Sequence, residues 1–165
     1  MLALSDAFEA IEARMLFARA FRAIAGLSAS DEMRNAFLGI WENDGESLRS
    51  NSDDLSLIDG LRVLLPVYTG PGLKLYRGCS WPNRCRRTYG MSWSSRLDVA
   101  TAFAESRKDR YRGGSVLLEA YAPPKAIICA LALFSDRYDE AEYVVDRRRL
   151  LAVKESWLGK SGQLR

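Results

Sequence analysis

The amino-acid sequence predicts an α+β protein, in which a helical N-terminal portion packs against a mainly antiparallel β unit. Apolar residues recur at helical spacing up to about residue 70, and short strand-like segments bounded by turn residues follow it. No internal repeat and no long linker interrupts the chain. We therefore expect one domain over residues 1–165, with a helical portion at 1–70, a β-rich portion at 71–156 and a tail at 157–165.

The elements are predicted from periodicity and from turn signals. An apolar face indicates a first helix over residues 6–25. A second helix is expected to end at the Asn-Asp-Gly signal of residues 43–45, and a third covers residues 55–67. In the β-rich portion, a capping box at residues 95–98 introduces one amphipathic helix. The predicted strands cover residues 73–77, 89–94, 114–121, 126–134, 140–146 and 150–155.

The composition excludes several classes of chemistry. No histidine is present, which removes histidine bases, Ser-His-Asp and Cys-His nucleophiles and histidine-ligated metals. Cys79, Cys85 and Cys129 fit no metal spacing, so we expect reduced thiols and no metal site. The net charge of +3 permits an acidic partner without requiring one. Since no signal sequence and no membrane span is evident, we expect a cytoplasmic protein with no membrane partner.

An arginine followed by a glycine closes the first predicted strand. The planar guanidinium of Arg77 matches the geometry of a phosphate, and Gly78 would let a ligand approach the backbone closely. The alternative is a strand-end arginine that pairs with a nearby carboxylate.

Two serines flank a tryptophan in the second predicted strand. Strand alternation places Ser92 and Ser94 on one face and Trp93 on the other. The two hydroxyls could hold a polar ligand or orient a carboxylate. The alternative is a core Trp93 with both serines in water.

Two glutamates lie near the start of the predicted strand 140–146. Glu140 and Glu142 are two residues apart, so both should project to the same face. Neighbouring like charges lower stability and raise a carboxyl pKa, a combination found at functional sites. The alternative is a solvated acidic strand end.

The order of these three motifs resembles that of the Arg–Ser–Glu branch of the mono-ADP-ribosyltransferases. The helix at residues 99–105, with its Ala-x-x-Phe-Ala pattern, and the valine-containing strand after it are also similar to that family. The resemblance covers about residues 72–153. The sequence departs from the family pattern at Trp93, where threonine is usual. This departure leaves open whether Ser92 or Ser94 is the key serine, and we favour Ser92.

The resemblance implies both a fold and a reaction. In this family, NAD⁺ binds in a cleft between a split pair of antiparallel sheets. By resemblance, Arg77 holds a phosphate of NAD⁺, and Ser92 holds the nicotinamide ribose and orients Glu142. Glu142 binds the ribose 2′-hydroxyl and stabilises the oxocarbenium ion as nicotinamide departs. Glu140 positions or deprotonates the acceptor, and a glutamate there favours an arginine side chain as acceptor.

Further residues are candidates for contacts with NAD⁺. Gly78 and Ser94 belong to the motifs themselves. Trp93 and Phe103 could pack near the nicotinamide, and core packing is the alternative for both aromatic rings.

Other segments could recognise a target. Residues 133–139 would be the family's substrate-recognition loop, with Arg137 and Tyr138 as contact residues. Basic clusters at residues 84–87 and 147–149 could bind an acidic protein or nucleic acid, or could simply be solvated.

The expected function is therefore transfer of ADP-ribose from NAD⁺ to a protein target, by a bacterial or phage effector. A variant of this function would modify a nucleic acid. One rival is an NAD⁺ glycohydrolase toxin that uses water as acceptor and does not need Glu140. Another rival is a non-catalytic binding protein or inhibitor on the same fold.

Overall fold

The computed structural model describes residues 4–13, 15–86, 88–134 and 137–159. The chain divides into two compact units, Met1–Val67 and Tyr68–Arg165, which we call the helical unit and the β unit. The division falls close to the change of sequence character near residue 70, and the α+β class is confirmed.

The described residues of the helical unit form four helices. They are α1 (Leu4–Ala13), α2 (Phe17–Ile24), α3 (Asp31–Ser50) and α4 (Asp54–Leu64). Ser30 caps α3, its side chain accepting a hydrogen bond from Met33 N at 3.2 Å. Asp53 caps α4 in the same way, accepting from Ser56 N at 2.9 Å. Both caps satisfy backbone donors that the first turn of a helix leaves unpaired.

The prediction of a single helix over residues 6–25 is wrong, because the helix is interrupted between α1 and α2. Met15 adopts a left-handed backbone conformation with φ of 54°. Its amide donates to Glu12 O, and the amide of Leu16 donates to Ile11 O. The apolar spacing continues across the break, so periodicity alone could not reveal it.

The second predicted helix is longer than expected. α3 continues through the Asn-Asp-Gly signal at residues 43–45 and ends at Ser50. Asn43 donates its side-chain amide to Gly39 O, one helical turn back, at 2.7 Å. The side chain of Asn43 thus forms its hydrogen bond within the helix, so the Asn-Asp-Gly signal does not end the helix here.

Phenylalanine side chains form the centre of the helical unit. Phe8 lies between three other rings, with centroid separations of 6.2 Å to Phe17, 6.4 Å to Phe21 and 5.2 Å to Phe37. All four are buried. The unit is thus held by an aromatic cluster that helices α1, α2 and α3 supply jointly.

The β unit contains a strand at each of the six predicted places, with shifted boundaries. β4 is shorter than predicted, and β6 extends two residues into the predicted tail. The helix α5 between β1 and β2 was not predicted. The elements are β1 (Leu73–Ser80), α5 (Trp81–Cys85), β2 (Ser92–Ser94), α6 (Leu97–Arg107), β3 (Ser115–Ala122), β4 (Ile127–Ala130), β5 (Glu142–Val145) and β6 (Val153–Leu158).

The strands form one antiparallel sheet in the order β4-β5-β2-β1-β3-β6, and not the split pair of sheets that the resemblance implied. The reason is that β2 pairs with β5 on one side and with β1 on the other. Among the described residues, however, the β1–β2 register consists of Tyr76 opposite Ser94 alone. In this described part of the chain, the backbone pairing between the two halves of the sheet is therefore limited to one residue pair.

The two faces of the sheet differ in chemistry. One carries Leu75, Trp93 and Leu118, which belong to the hydrophobic core, and we call it the core face. The other carries Ser92, Ser94 and Glu142, and we call it the serine face. The strand registers fix this assignment, because directly paired residues point to the same side.

Candidate functional site

Arg77 lies where β1 and β2 part. Its Nη1 donates a hydrogen bond to Ser92 O, and the side chain is half-buried. The guanidinium also lies against Gly90, where a Cβ would collide with it. A side chain at position 90 would therefore displace the guanidinium of Arg77 from this place, a dependence that the sequence alone did not reveal. Its backbone position puts Arg77 on the core face opposite Leu118, and its guanidinium ends beside the main chain of β2.

Ser94 is buried and serves as an anchor. Its hydroxyl donates to Glu140 O at 2.7 Å and accepts from Arg96 N at 3.0 Å. Both hydroxyl contacts are to main-chain atoms. Ser94 therefore fixes the chain just after β2, at Arg96, and just before β5, at Glu140. This is a positioning role, since the hydroxyl is already engaged.

Ser92 differs from Ser94 in its surroundings. It lies on the same face, is half-buried, and its hydroxyl makes no hydrogen bond to any residue that the structure describes. A ligand placed on this face could therefore bond to Ser92 without displacing a protein partner. This difference supports Ser92 as the key serine.

Glu142 opens β5 beside the two serines. It pairs with Ser94 in the register of β2 and β5, and Ser92 pairs with Val144. Residues directly opposite in an antiparallel pair have Cβ atoms about 5 Å apart, and diagonal neighbours lie about 7–8 Å apart. The half-buried Glu142 carboxylate is consequently within side-chain reach of both hydroxyls.

The expectation that Glu140 and Glu142 alternate on one strand is wrong. β5 begins at Glu142, and Glu140 lies in the preceding turn. Asp139 and Ala141 both adopt left-handed conformations, with φ of 50° and 45°. A strand's two-residue alternation does not hold across such a turn. Non-glycine residues in this region carry about 1 kcal/mol or more of strain, which is concentrated at functional sites in many proteins.

Arg96 holds this turn, a role that the sequence did not indicate. Its guanidinium binds Asp98 at 2.8 Å and Asp139 at 2.9 Å, and it donates to Asp139 O at 3.2 Å. The hydrogen bond from Arg96 lowers the pKa of Asp98, and the bonds to both aspartates raise the pKa of Arg96. The predicted capping box is wrong, because α6 begins at Leu97 and Asp98 pairs with Arg96 instead.

The two aromatic candidates lie in opposite environments. Trp93 is 2% exposed, belongs to the core, and donates its indole N–H to Gly90 O at 3.2 Å. Its ring therefore has little exposed surface for a contact with NAD⁺. Its environment matches the alternative of core packing. Phe103 is 38% exposed on α6, with the Arg107 guanidinium 5.3 Å from its ring centroid. Phe103 is therefore accessible to a ligand.

Gly78 lies under helix α6. A Cβ at this position would collide with the backbone at Ala100 and Ala104. Arg107 also donates to Gly78 O at 3.0 Å, which ties the end of the helix to the strand. Close helix–strand packing accounts for this glycine without a ligand.

The predicted recognition loop is exposed where it is described. Arg137 and Tyr138 are both exposed, with the guanidinium 5.5 Å from the ring centroid. Residues 135–136 lie outside the described residues. Asp139 follows directly and is the residue bound by Arg96, so the end of the loop is held while Tyr138 faces solvent.

The basic run at residues 147–149 is engaged within the protein. Asp146 is fully buried, and Arg148 binds both of its oxygens, at 2.8 and 3.0 Å. Arg149 lies 3.4 Å from the same carboxylate, and Arg147 donates to Tyr89 O at 3.0 Å. These contacts make the run a structural cluster. In the run at 84–87, Arg84 pairs with Glu155, and Arg87 lies outside the described residues.

A cavity of about 210 Å³ lies in the helical unit, apart from every candidate residue above. Phe8 and Phe17 contribute apolar lining, and Glu12 contributes a carboxylate that accepts from Ser47 Oγ at 2.7 Å. It contains none of the motif residues, so it does not enter the candidate site.

Comparison with known proteins gave no match: no family model fits the chain, and no curated protein or solved structure is significantly similar to it. In the part of the chain that the structure describes, no helix is long and apolar enough to cross a membrane.

Proposed function

We propose that the β unit binds NAD⁺ and transfers its ADP-ribose to a target macromolecule, with a protein side chain as acceptor. The observation that carries the proposal is the grouping of Ser92, Ser94 and Glu142 on one face of the sheet. The order of the motifs in the sequence, with its resemblance to the Arg–Ser–Glu transferases, supplies the identity of the substrate.

Arg77 is the group proposed to hold a phosphate of NAD⁺. Arg77 lies on the core face, and its contact with Ser92 O fixes the guanidinium beside the main chain of β2, in the gap where β1 and β2 part. A planar, permanently charged fork held in this way suits a phosphate better than a flexible lysine would. The open hydroxyl of Ser92 is then available to the nicotinamide ribose.

Glu142 is the proposed catalytic residue. The bond between ribose C1′ and the nicotinamide nitrogen breaks, and the bonding electrons leave with nicotinamide. The carboxylate of Glu142 stabilises the positive charge that develops on the ribose ring, as carboxylates do at glycosidic bonds. The acceptor then forms a bond to C1′ and loses a proton, which Glu140 receives.

The turn at residues 139–141 supports a separate role for Glu140. Ser94 holds the carbonyl of Glu140, and Arg96 holds Asp139, so the turn is fixed from both sides. Glu140 therefore lies in the same loop as Tyr138, the residue proposed to contact a protein target. The strained backbone keeps the two glutamates out of simple alternation and gives them different surroundings.

The test compares Glu142→Gln with a matched control, Glu119→Gln. The registers of β3, β1, β2 and β5 put Glu119, Tyr76, Ser94 and Glu142 in one row on the same face. Glu119 is half-buried like Glu142 and pairs with Lys74 at 3.5 Å. Losing a charge-stabilising group from a transition state typically costs 100-fold or more in kcat.

With labelled NAD⁺ and a lysate as source of acceptor, Glu142→Gln should lower labelling by about 100-fold or more. Glu119→Gln should stay within about twofold of the unmodified protein, and both variants should unfold at the same urea midpoint. Equal activity of the two variants would overturn the assignment of Glu142. Absence of NAD⁺ binding by isothermal titration would favour the non-catalytic binding protein.

The position of Glu140 favours one second candidate, an NAD⁺ glycohydrolase. Because Glu140 lies in a turn and not beside Glu142 on the strand, water could serve as the acceptor without its help. Glu140→Gln separates the two functions. A transferase should lose labelled product while releasing nicotinamide, whereas a hydrolase should release nicotinamide at the unmodified rate and label nothing.

A further inference from the structure

A group of exposed aromatic and basic side chains lies where α5, the turn between α6 and β3, and the end of β6 meet. It consists of Trp81 on α5, Trp157 on β6, and Arg110, Tyr111 and Arg112 in the turn between α6 and β3. We call this group the aromatic–basic surface. The candidate active site uses none of these residues.

Gly113 and Gly114 bring the two tryptophans together. Trp157 donates its indole N–H to Gly113 O at 3.0 Å, and the backbone amide of Trp81 donates to Gly114 O at 3.0 Å. Gly113 has φ of 88°, and a Cβ there would run into the Trp81 ring. Both indoles therefore pack on the same short turn, which only glycine permits at this point.

The aromatic rings remain largely open to solvent. Trp81 is 36% exposed, Tyr111 42% and Trp157 49%. The polar edge of Trp157 is occupied by Gly113 O, so its exposed area is the apolar ring surface. Large aromatic groups grouped on a surface usually mark a binding site, because leaving them in water is unfavourable.

The charge around these rings is positive. Residues 107–112 hold four basic residues and one acidic residue. Arg110 and Arg112 are exposed, and neither side chain has an ion pair or a hydrogen bond to any described residue. Arg86, at the end of α5, is exposed as well. These arginines contrast with Arg148 and Arg149, which bind the buried Asp146.

We propose that the aromatic–basic surface binds single-stranded nucleic acid. Phosphates carry the charge that Arg110 and Arg112 complement, and unpaired bases present flat faces that stack on indole and phenol rings. An acidic peptide would satisfy the arginines but would leave the rings uncovered. An anionic membrane would take up tryptophan side chains that project outward, whereas here Trp157 is tied back to the turn by its N–H.

The direct test is fluorescence anisotropy with a labelled 20-nucleotide oligo(U), titrated with the full chain at several salt concentrations. Binding should weaken with salt, since each phosphate contact releases counterions, and it should quench tryptophan fluorescence. The variant Arg110→Gln/Arg112→Gln should bind at least about 10-fold more weakly and show a smaller salt slope. Trp157→Leu should also weaken binding about 10-fold or more while leaving that slope unchanged.

A matched control removes the same charge elsewhere. Arg19 lies on α2 in the helical unit, and Lys125 lies beside β4 at the opposite edge of the sheet, and both are exposed. Arg19→Gln/Lys125→Gln should keep affinity within about twofold. Equal weakening by both double variants would show only non-specific charge attraction and would overturn the proposal.

The remaining outcomes are also decisive. No binding at 50 mM salt, or binding to vesicles of anionic lipid in preference to oligo(U), would overturn the proposal. Stronger binding to a duplex than to oligo(U) would do the same, because paired bases cannot stack on the rings. Glu142→Gln should bind oligo(U) normally, so this proposal and the proposed transferase activity can fail independently.

Discussion

The helical unit and the β unit use their polar side chains differently. Of the described residues, the helical unit buries one polar side chain, Ser56, which is hydrogen-bonded to the cap residue Asp53. The β unit buries four, which are Ser80, Ser94, Ser115 and Asp146. A buried polar group is unfavourable unless it is bonded, so its position is specified tightly.

The hydrogen bonds and ion pairs of these polar side chains have different roles in the two units. In the helical unit, polar side chains close helix ends, and the core consists mainly of phenylalanine and leucine. In the β unit Ser80 also caps a helix, but Ser94 holds the turn before Glu142, and Asp146 holds two arginines. Irregular chain fixed by buried bonds is where binding and catalytic groups are usually placed. The comparison therefore supports the β unit as the functional part.

Among the substitutions that test this comparison, the largest loss of stability is expected at Asp146. Asp146→Ala removes the buried partner of Arg148 and Arg149 and should lower the free energy of unfolding by about 3 kcal/mol. Urea unfolding followed by circular dichroism measures it. Glu105→Ala is the control, because Glu105 forms a surface ion pair with Lys108 on α6 and its loss should cost less than about 1 kcal/mol. Similar losses in both variants would contradict a structural role for the buried cluster.

Glycines in the two units should respond with opposite sign. Gly78→Ala forces a Cβ into the backbone of α6 and should destabilise the β unit by about 2 kcal/mol. Gly39→Ala meets no atom within 4 Å in the middle of α3 and should stabilise the helical unit by about 1 kcal/mol. Thermal unfolding of both variants tests this contrast. A neutral Gly78→Ala would show that α6 can move away from β1.

The smallest expected effect concerns the cap of α4 and its pH dependence. Hydrogen bonds from Ser56 N and Oγ, with Arg22, lower the pKa of Asp53 to about 2. Because the pKa of Asp53 in the folded protein lies below the usual aspartate value of 3.8, the stabilisation is complete above about pH 4 and is lost as the pH falls towards 2.

Two substitutions at this cap check the effect. Asp53→Ala should cost about 1 kcal/mol at neutral pH. Asp53→Asn should keep most of the stability and lose part of the pH dependence between pH 4 and 2. Urea midpoints at pH 5, 3 and 2 measure both variants. An unchanged pH profile in Asp53→Asn would show that the carboxylate contributes no pH-dependent stability.

The strands were the most predictable part of the fold. Runs such as residues 114–121 are apolar and bounded by turn residues, and they became β3 with a shift of one residue. The same local logic located Ser92 and Ser94 on one face correctly. It failed at Glu140, because Ala141 is left-handed and the preceding carbonyls are held by Ser94 and Arg96, which are distant in sequence.

The sequence by itself determined the α+β class, the approximate places of the strands, and the residue types available for chemistry without histidine. Those features follow from local periodicity and composition, which act over a few residues. Only the tertiary structure decided that Trp93 is core, that Ser94 is an anchor while Ser92 is open, and that Arg148 and Arg149 serve Asp146. These outcomes depend on which residues face each other across strands, and that pairing joins segments about 50 residues apart in the chain.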